Sequence, residues 1–242
     1  MKARNTLLGA RTLLLGLVLL FASFPMQAQE EKDMSFTVTL NSDQFFGFYP
    51  FFQGGYGLGD KVDLTFYGIL WSGGTGGAWG NWSEFGVGVS LAPIEGLSIT
   101  PQVGVLGGNL LSSGTGGPAV MGDGIVPNLT IGLDRSGLLG EIYAGYYIPL
   151  RDLAPDGGTT LSYVHYWANL GYQVTDFMAI GAHFEHLINS GGSEVEEATD
   201  VYQWIGPYLQ FNAAGGFARL SAGGDLLEGN DSFFKVTVGF SL

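Results

Sequence analysis

The densest set of side chains able to do chemistry falls on two neighbouring alternating stretches. His165, Trp167, Asn169 and Gln173 recur at even spacing within residues 160–174, and His183 and Glu185 do the same within 177–189. Alternate residues of a strand share a face, so each set projects from one side of its strand. Folding back across Thr175-Asp176 brings His165 opposite or diagonal to Glu185, and His183 beside Trp167 or Asn169. Such a group can contact a polar solute or hold a proton between imidazole and carboxylate. It can equally satisfy its own hydrogen bonds in an enclosed space. His183-Phe184-Glu185-His186 has the look of a metal motif, but on a strand His183 and His186 face opposite sides, and the helical HExxH spacing is missing. No metal site and no cofactor are expected.

A second set is charged and sparse. Asp63, Glu84, Glu141, Arg219, Asp225 and Lys235 lie on the polar faces of their stretches, with Arg219 beside Gln210 and Lys235 able to neighbour Asp225. Opposite charges in one enclosure either select solutes or pair and fill it. Tyr67, Tyr143 and Tyr147, with Trp167, offer rings for stacking or bulk for filling. The runs Ser72 to Gly77 and Ser113 to Gly117 lack the Lys-Ser/Thr of a phosphate-binding loop, which argues against nucleotide binding.

These residues need strands to position them, and the chain supplies strands throughout. Phe234, Val236, Val238, Phe240 and Leu242 form one wholly apolar face, with Phe233, Lys235, Thr237, Gly239 and Ser241 on the other. The same alternation gives Val62, Leu64, Phe66 and Leu70 against Asp63, Thr65 and Tyr67, and recurs in Phe85 to Leu91, Leu97 to Val105 and Ile125 to Leu133. The second face is Gly, Ser, Thr, Gln, Asn and a few charges. A one-residue slip would exchange these faces, so register can be tested. Turns at Pro93–Glu95, Asp134–Gly137 and Ala213–Gly216 keep like with like. They predict Leu91 opposite Leu97, Leu133 opposite Leu138, and Gln210 opposite Arg219. Short connections alternate with long ones, among them 72–82, 107–124, 151–159 and the acidic 190–200. The first turn is placed at Asn41–Gln44, with a strand from Phe45.

Composition narrows the setting. Lys2, Arg4 and Arg11 precede an apolar run from Thr12 to Phe24, then Met26-Gln27-Ala28, the order of a secretory signal cut after Ala28. About 13 apolar residues are too few for a bilayer that needs ~20. Residues 29–242 keep 6 Lys+Arg against 22 Asp+Glu, a formal charge of −16, which excludes the basic footprint of nucleic-acid binding. There is no cysteine, hence no disulfide, lipoprotein anchor or thiolate metal site. So few Lys and Arg cannot coat a soluble exterior. The pattern predicts an all-β, antiparallel, up-and-down transmembrane barrel of twelve strands. The count falls to ten if Met34 to Phe45 is one bent or tucked-in segment. Short turns then face the periplasm and long loops the outside. Inner-face Gly86, Gly88, Gly104, Gly132 and Gly145 should thin the lumen and favour an open path.

Three stretches, Thr39 to Pro50, Asp63 to Trp71 and Gly80 to Gly88, resemble an uncharacterised family of bacterial outer-membrane β-barrel proteins, most closely over the first third. The resemblance implies that fold and location in a Gram-negative outer membrane, and no activity or catalytic residues. The architecture is also similar to small twelve-stranded channels. The resulting expectation is a passive channel for small polar solutes, contacting outer-membrane lipid and lipopolysaccharide, with the oligomeric state open. A non-conducting structural or surface-interaction barrel is the alternative. A lipid-modifying enzyme is a further one, since His186 falls on the lipid face in phase with Ile188 and Ser190, although no acid partner stands out. Glu194, Glu196, Glu197 and Asp200 either solvate a loop or bridge lipopolysaccharide through divalent cations.

Overall fold

The computed structural model describes residues 34–71, 82–114 and 117–242. The expected leader through Ala28, and the Ser72 to Gly77 run, lie outside the described residues. Twelve antiparallel strands close into one barrel: β1 Met34–Asp43, β2 Gly47–Gly59, β3 Val62–Trp71, β4 Trp82–Ile94, β5 Leu97–Gly108, β6 Val120–Arg135, β7 Leu138–Pro149, β8 Ser162–Thr175, β9 Met178–Gly191, β10 Thr199–Ala213, β11 Gly216–Asp225 and β12 Phe233–Ser241. Each strand pairs with its sequence neighbours, and β12 closes on β1 from Thr37↔Ser241 to Asp43↔Lys235. Closure leaves no unpaired edge, which a strand surrounded by hydrocarbon cannot tolerate.

The alternation read from the sequence becomes an inside and an outside. Val87 is 63% exposed and Leu170 59%, with Leu64, Phe85, Ile142, Ile205 and Phe234 exposed beside them. A water-soluble barrel would not leave so continuous an apolar belt uncovered. Strands of 9 to 16 residues meet the ~9–11 that a tilted membrane strand requires. This is the fold of an outer-membrane β-barrel.

Registers preserve the faces but not always the predicted partner. Gln210↔Arg219, Leu209↔Leu220 and Phe211↔Ala218 pair as expected. At the β6–β7 turn Arg135 pairs with Leu138, and Leu133 meets Gly140 rather than Leu138. Ser136 (φ 53°) and Gly137 (φ 82°) both take left-handed conformations, the signature of a two-residue type I′ turn that follows strand twist better than four residues would. At β4–β5 a bulge moves Leu91 onto Ile99, and Ile94 takes Leu97. Both shifts keep the apolar faces together.

The first turn also moves. β1 runs on to Asp43, whose Oδ1 accepts the N–H groups of Phe45 (2.9 Å) and Phe46 (2.7 Å). This side-chain turn, completed by Gly47 at φ 69°, displaces the expected Asn41–Gln44 turn. Phe45 and Phe46 therefore leave the wall and fold inward. The expected loop 107–124 shrinks as well, because β6 begins at Val120 and pairs with Gly107 and Gly108.

Candidate functional site

The lumen has two unlike halves. Toward the short-turn end lies a cavity of about 380 Å³. Hydroxyl and amide side chains, including Thr37, Thr39, Thr100, Gln102 and Thr130, line it together with rings such as Phe51 and Phe66, and Asp63, Glu141, Arg219 and Lys235 are its charges. Thr100 Oγ1 lies 2.9 Å from Ser90 Oγ, and Gln102 Nε2 donates to Thr65 Oγ1 at 3.0 Å, so part of the wall is braced by its own side chains. We call this half the cup.

Toward the long-loop end the interior is filled. Phe46, Tyr49 and Trp71 pack with ring centres 4.7 to 5.6 Å apart, and Tyr202, Trp204 and Phe233 stack at 4.1 and 5.2 Å. Leu106 and Leu111 are fully buried among them. Leu110 and Leu111 come from the β5–β6 connection and Phe46 from the β1–β2 turn, so this plug is partly built from connections folded into the barrel.

Three buried carboxylates organise the plug, and each meets two or more donors. Glu185, fully buried, accepts from His165 Nε2 (2.9 Å) and Tyr202 Oη (2.8 Å) on one oxygen, and from His183 Nε2 (3.1 Å) and Lys235 Nζ on the other. Glu84, equally buried, accepts from Tyr67 Oη (2.6 Å) and Trp71 Nε1 (2.9 Å). Asp123 accepts the backbone N–H groups of Leu110, Leu111 and Ser112 and the Ser112 hydroxyl at 2.6 to 2.9 Å, pinning that connection inside. Burying a carboxylate costs several kcal/mol unless donors meet it; Glu84 and Asp123 take theirs from nearby chain, whereas Glu185 draws Lys235 from β12, 50 positions away.

The candidate residues divide between the halves. The structure brings together His165, His183, Glu185 and Lys235, with His183 Nδ1 2.8 Å from Asn169 Oδ1. Glu141 stays in the cup and accepts from Trp167 Nε1 at 2.6 Å. Asp63 and Arg219 line the cup, Arg219 Nε donating to Gln210 Oε1 at 2.9 Å. Glu84 does not line open space; it lies at the centre of the plug. Asp225 does not neighbour Lys235. It caps the chain near the β11–β12 connection, accepting from the backbone of Gln203 and Leu227 and from Asn230 Nδ2. Glu185 takes Lys235 because it reaches in from β9 across the lumen, a contact that adjacent-strand reasoning cannot anticipate.

Three of the five inner glycines serve a different end from the expected open path. A Cβ at Gly86 would lie 2.1 Å from the Tyr67 ring, and one at Gly104 would lie 2.2 Å from its hydroxyl. Tyr67 lies flat along the wall from β3 over β4 and β5, and its hydroxyl accepts from Asn128 Nδ2 on β6 at 2.7 Å. At Gly145 it is the Tyr143 hydroxyl that would meet the Cβ, at 2.4 Å. These three glycines make room for aromatic rings; a Cβ at Gly88 would instead meet Pro101 O at 2.2 Å, and Gly132 lines the open cup.

Outside the barrel His186 has the acid partner that the sequence did not reveal. Its Nε2 is 2.8 Å from Asp200 Oδ1 and its Nδ1 is 2.7 Å from Tyr166 Oη. A bulge between Asp200 and Tyr202 turns Asp200 outward while Tyr202 stays inside. His186 is only 6% exposed, and both ring nitrogens are occupied. Asp43, Asp123 and Tyr202 escaped the sequence reading, and Asp200, read there only as part of the acidic loop, instead pairs with His186. The only signal was an acid set beside a turn or between glycines, as in Gly122-Asp123-Gly124. Among the described residues no group of three or more His, Asp or Glu is placed to hold a metal ion.

Solved barrels share this architecture at low identity. The chain is similar to NanC porin (TM-score 0.51, 11% identity, covering 86% of this chain and 98% of that one). Others are an outer-membrane channel from Pseudomonas putida F1 (0.49, 12%, 90% and 99%) and KdgM porin (0.47, 10%, 85% and 99%). Likeness at this level concerns the fold. No curated protein matches the sequence. Over residues 1–242 the chain matches the profile of a family of unknown function, DUF6733, and it belongs to that family.

Proposed function

We propose that the protein is an outer-membrane channel for small polar solutes that is held shut at its outer end by the aromatic plug. In this reading a leader is removed on export, the apolar belt meets outer-membrane lipid and lipopolysaccharide, and the short turns face the periplasm. The cup is then the periplasmic vestibule. The observation that carries the reading is the origin of the plug. Much of the closure comes from the Phe46 turn and the Asp123-pinned segment Leu110–Ser113, pieces of connection that can move without breaking the wall.

Conductance of the purified full chain in planar bilayers tests this. Wild type should pass little steady current, because Glu84 and Glu185 sit where an open pore would need water. The triple variant Phe46→Ala, Leu110→Ala, Leu111→Ala, checked for folding by its heat-modifiable gel mobility, should conduct. A folded triple variant that stays silent over a range of salts would end the channel reading.

A second reading, a barrel that binds solute in the cup without passing it, draws on the Glu185 network. That network ties β8, β9, β10 and β12 together through the middle of the lumen and resists opening. A silent triple variant that still binds solute would select it.

A further inference from the structure

Of the two cations in the lumen, only one is paired with a carboxylate. Lys235 is bound to Glu185, whereas Arg219 has no carboxylate within 4.0 Å among the described residues. In a chain with 22 acidic residues and 9 basic ones, such a guanidinium is conspicuous. It is also held in place. Its carbon lies 4.9 Å from the centre of the Tyr208 ring and 5.3 Å from that of Phe217. Its Nε donates to Gln210 Oε1, Gln210 Nε2 donates to Asn212 Oδ1, and Asn212 Nδ2 donates to Gln173 Oε1, at 2.8 to 3.0 Å. This line of amides runs back to β8 and fixes the plane of the guanidinium, and its two terminal nitrogens have no hydrogen-bond partner among the described residues. A stacked, braced guanidinium with a free fork matches the geometry of a carboxylate.

The rest of the cup decides what kind of carboxylate suits it. Lys235 being taken by Glu185, the charges left to the cup are Asp63 on β3, Glu141 on β7 and Arg219 on β11, each a third of the way round the twelve-strand ring. Glu141 is met only by the neutral donors Trp167 and Asn169. A plain anion docked on Arg219 would face two carboxylates across the cup. A molecule with a cationic end as well would satisfy both sides.

We propose that the cup binds small zwitterions, the carboxylate on the Arg219 fork and the ammonium turned toward Asp63 and Glu141. The proposal rests on the reading of the lumen as a solute path, and names its solute class. Hydroxyls and amides between the charges accept the polar remainder of the solute.

The test is binding of 4-aminobutyrate to the full-length barrel in detergent at low salt by titration calorimetry, with butyrate and butylamine as singly charged counterparts. The zwitterion should bind at least about tenfold more tightly than either counterpart, in line with a charge-assisted bidentate pair. Arg219→Gln should lose about tenfold for 4-aminobutyrate and leave butylamine unchanged. Arg219→Lys should recover part of the loss, since it restores charge without the fork. Glu141→Gln with Asp63→Asn should bring 4-aminobutyrate down to the level of butyrate. The proposal is overturned if butyrate binds as well as the zwitterion, if no binding occurs, or if folded Arg219→Gln binds it as tightly as wild type. Binding needs no opening of the plug, so its failure stands apart from failure of the channel reading. A conducting triple variant without zwitterion binding removes only this inference, and a silent one that binds removes only the channel.

Discussion

The cup and the plug are built from the same twelve strands with the same alternation, yet they hold polar groups in opposite ways. In the plug three carboxylates are enclosed and met by two or more donors each: four on Glu185, four on Asp123, two on Glu84. In the cup Asp63 and the fork of Arg219 face open space, and Glu141 keeps free acceptor capacity. The difference follows from what surrounds them. Rings and leucines exclude water from the plug, so an unpaired charge there would be prohibitively costly. The cup is roomy enough for water to do the pairing. Polar groups that must be satisfied by protein give stability, and those left to water remain available to a ligand.

The comparison breaks if substitutions in the two halves cost the same in reversible unfolding from lipid. Lys235→Met should have the largest effect, about 3–5 kcal/mol, because it strands Glu185 in the plug. Adding Glu185→Gln should recover much of that loss, and no recovery would show that Lys235 acts by other contacts. Asp123→Ala should cost about 2–3 kcal/mol by leaving several buried donors unmet. It should also make the segment 110–114 accessible to protease from the long-loop side. Gly104→Ala should cost about 1–2 kcal/mol by driving Tyr67 off the wall. Tyr67→Phe in that background should not restore stability, since it removes the clashing hydroxyl but also one of the two donors on buried Glu84. The cup substitution Ser98→Ala should stay within about 0.5 kcal/mol. Should Ser98→Ala rival Asp123→Ala, the division into a stabilising half and a receptive half would be wrong.

The barrel and the inward or outward sense of nearly every residue were legible in the sequence, as the apolar faces of Val62 to Leu70 and Phe234 to Leu242 illustrate. So were the local partners, such as Gln210 beside Arg219 and His165 diagonal to Glu185, because both depend only on neighbouring strands. Registers near turns were less so. The two-residue turn at Ser136-Gly137 and the turn held by Asp43 depend on backbone conformations and side-chain hydrogen bonds that alternation does not encode. What crosses the lumen was not legible at all. Nothing near Lys235 in the chain points to Glu185, 50 positions away, and nothing in Gly86 or Gly104 announces that Tyr67 will lie on them.

Sequence by itself therefore determined the wall. A period of two, one greasy face and few basic residues leave an antiparallel barrel in lipid as the stable arrangement, since each face must find its own solvent. Tertiary structure alone decided what fills the wall. Closure of the ring brings residues from remote strands within a few ångströms, and only there does each buried charge either find its donors or remain open to a solute. That choice placed Glu84 and Glu185 in a sealed plug and left Arg219 facing the cup.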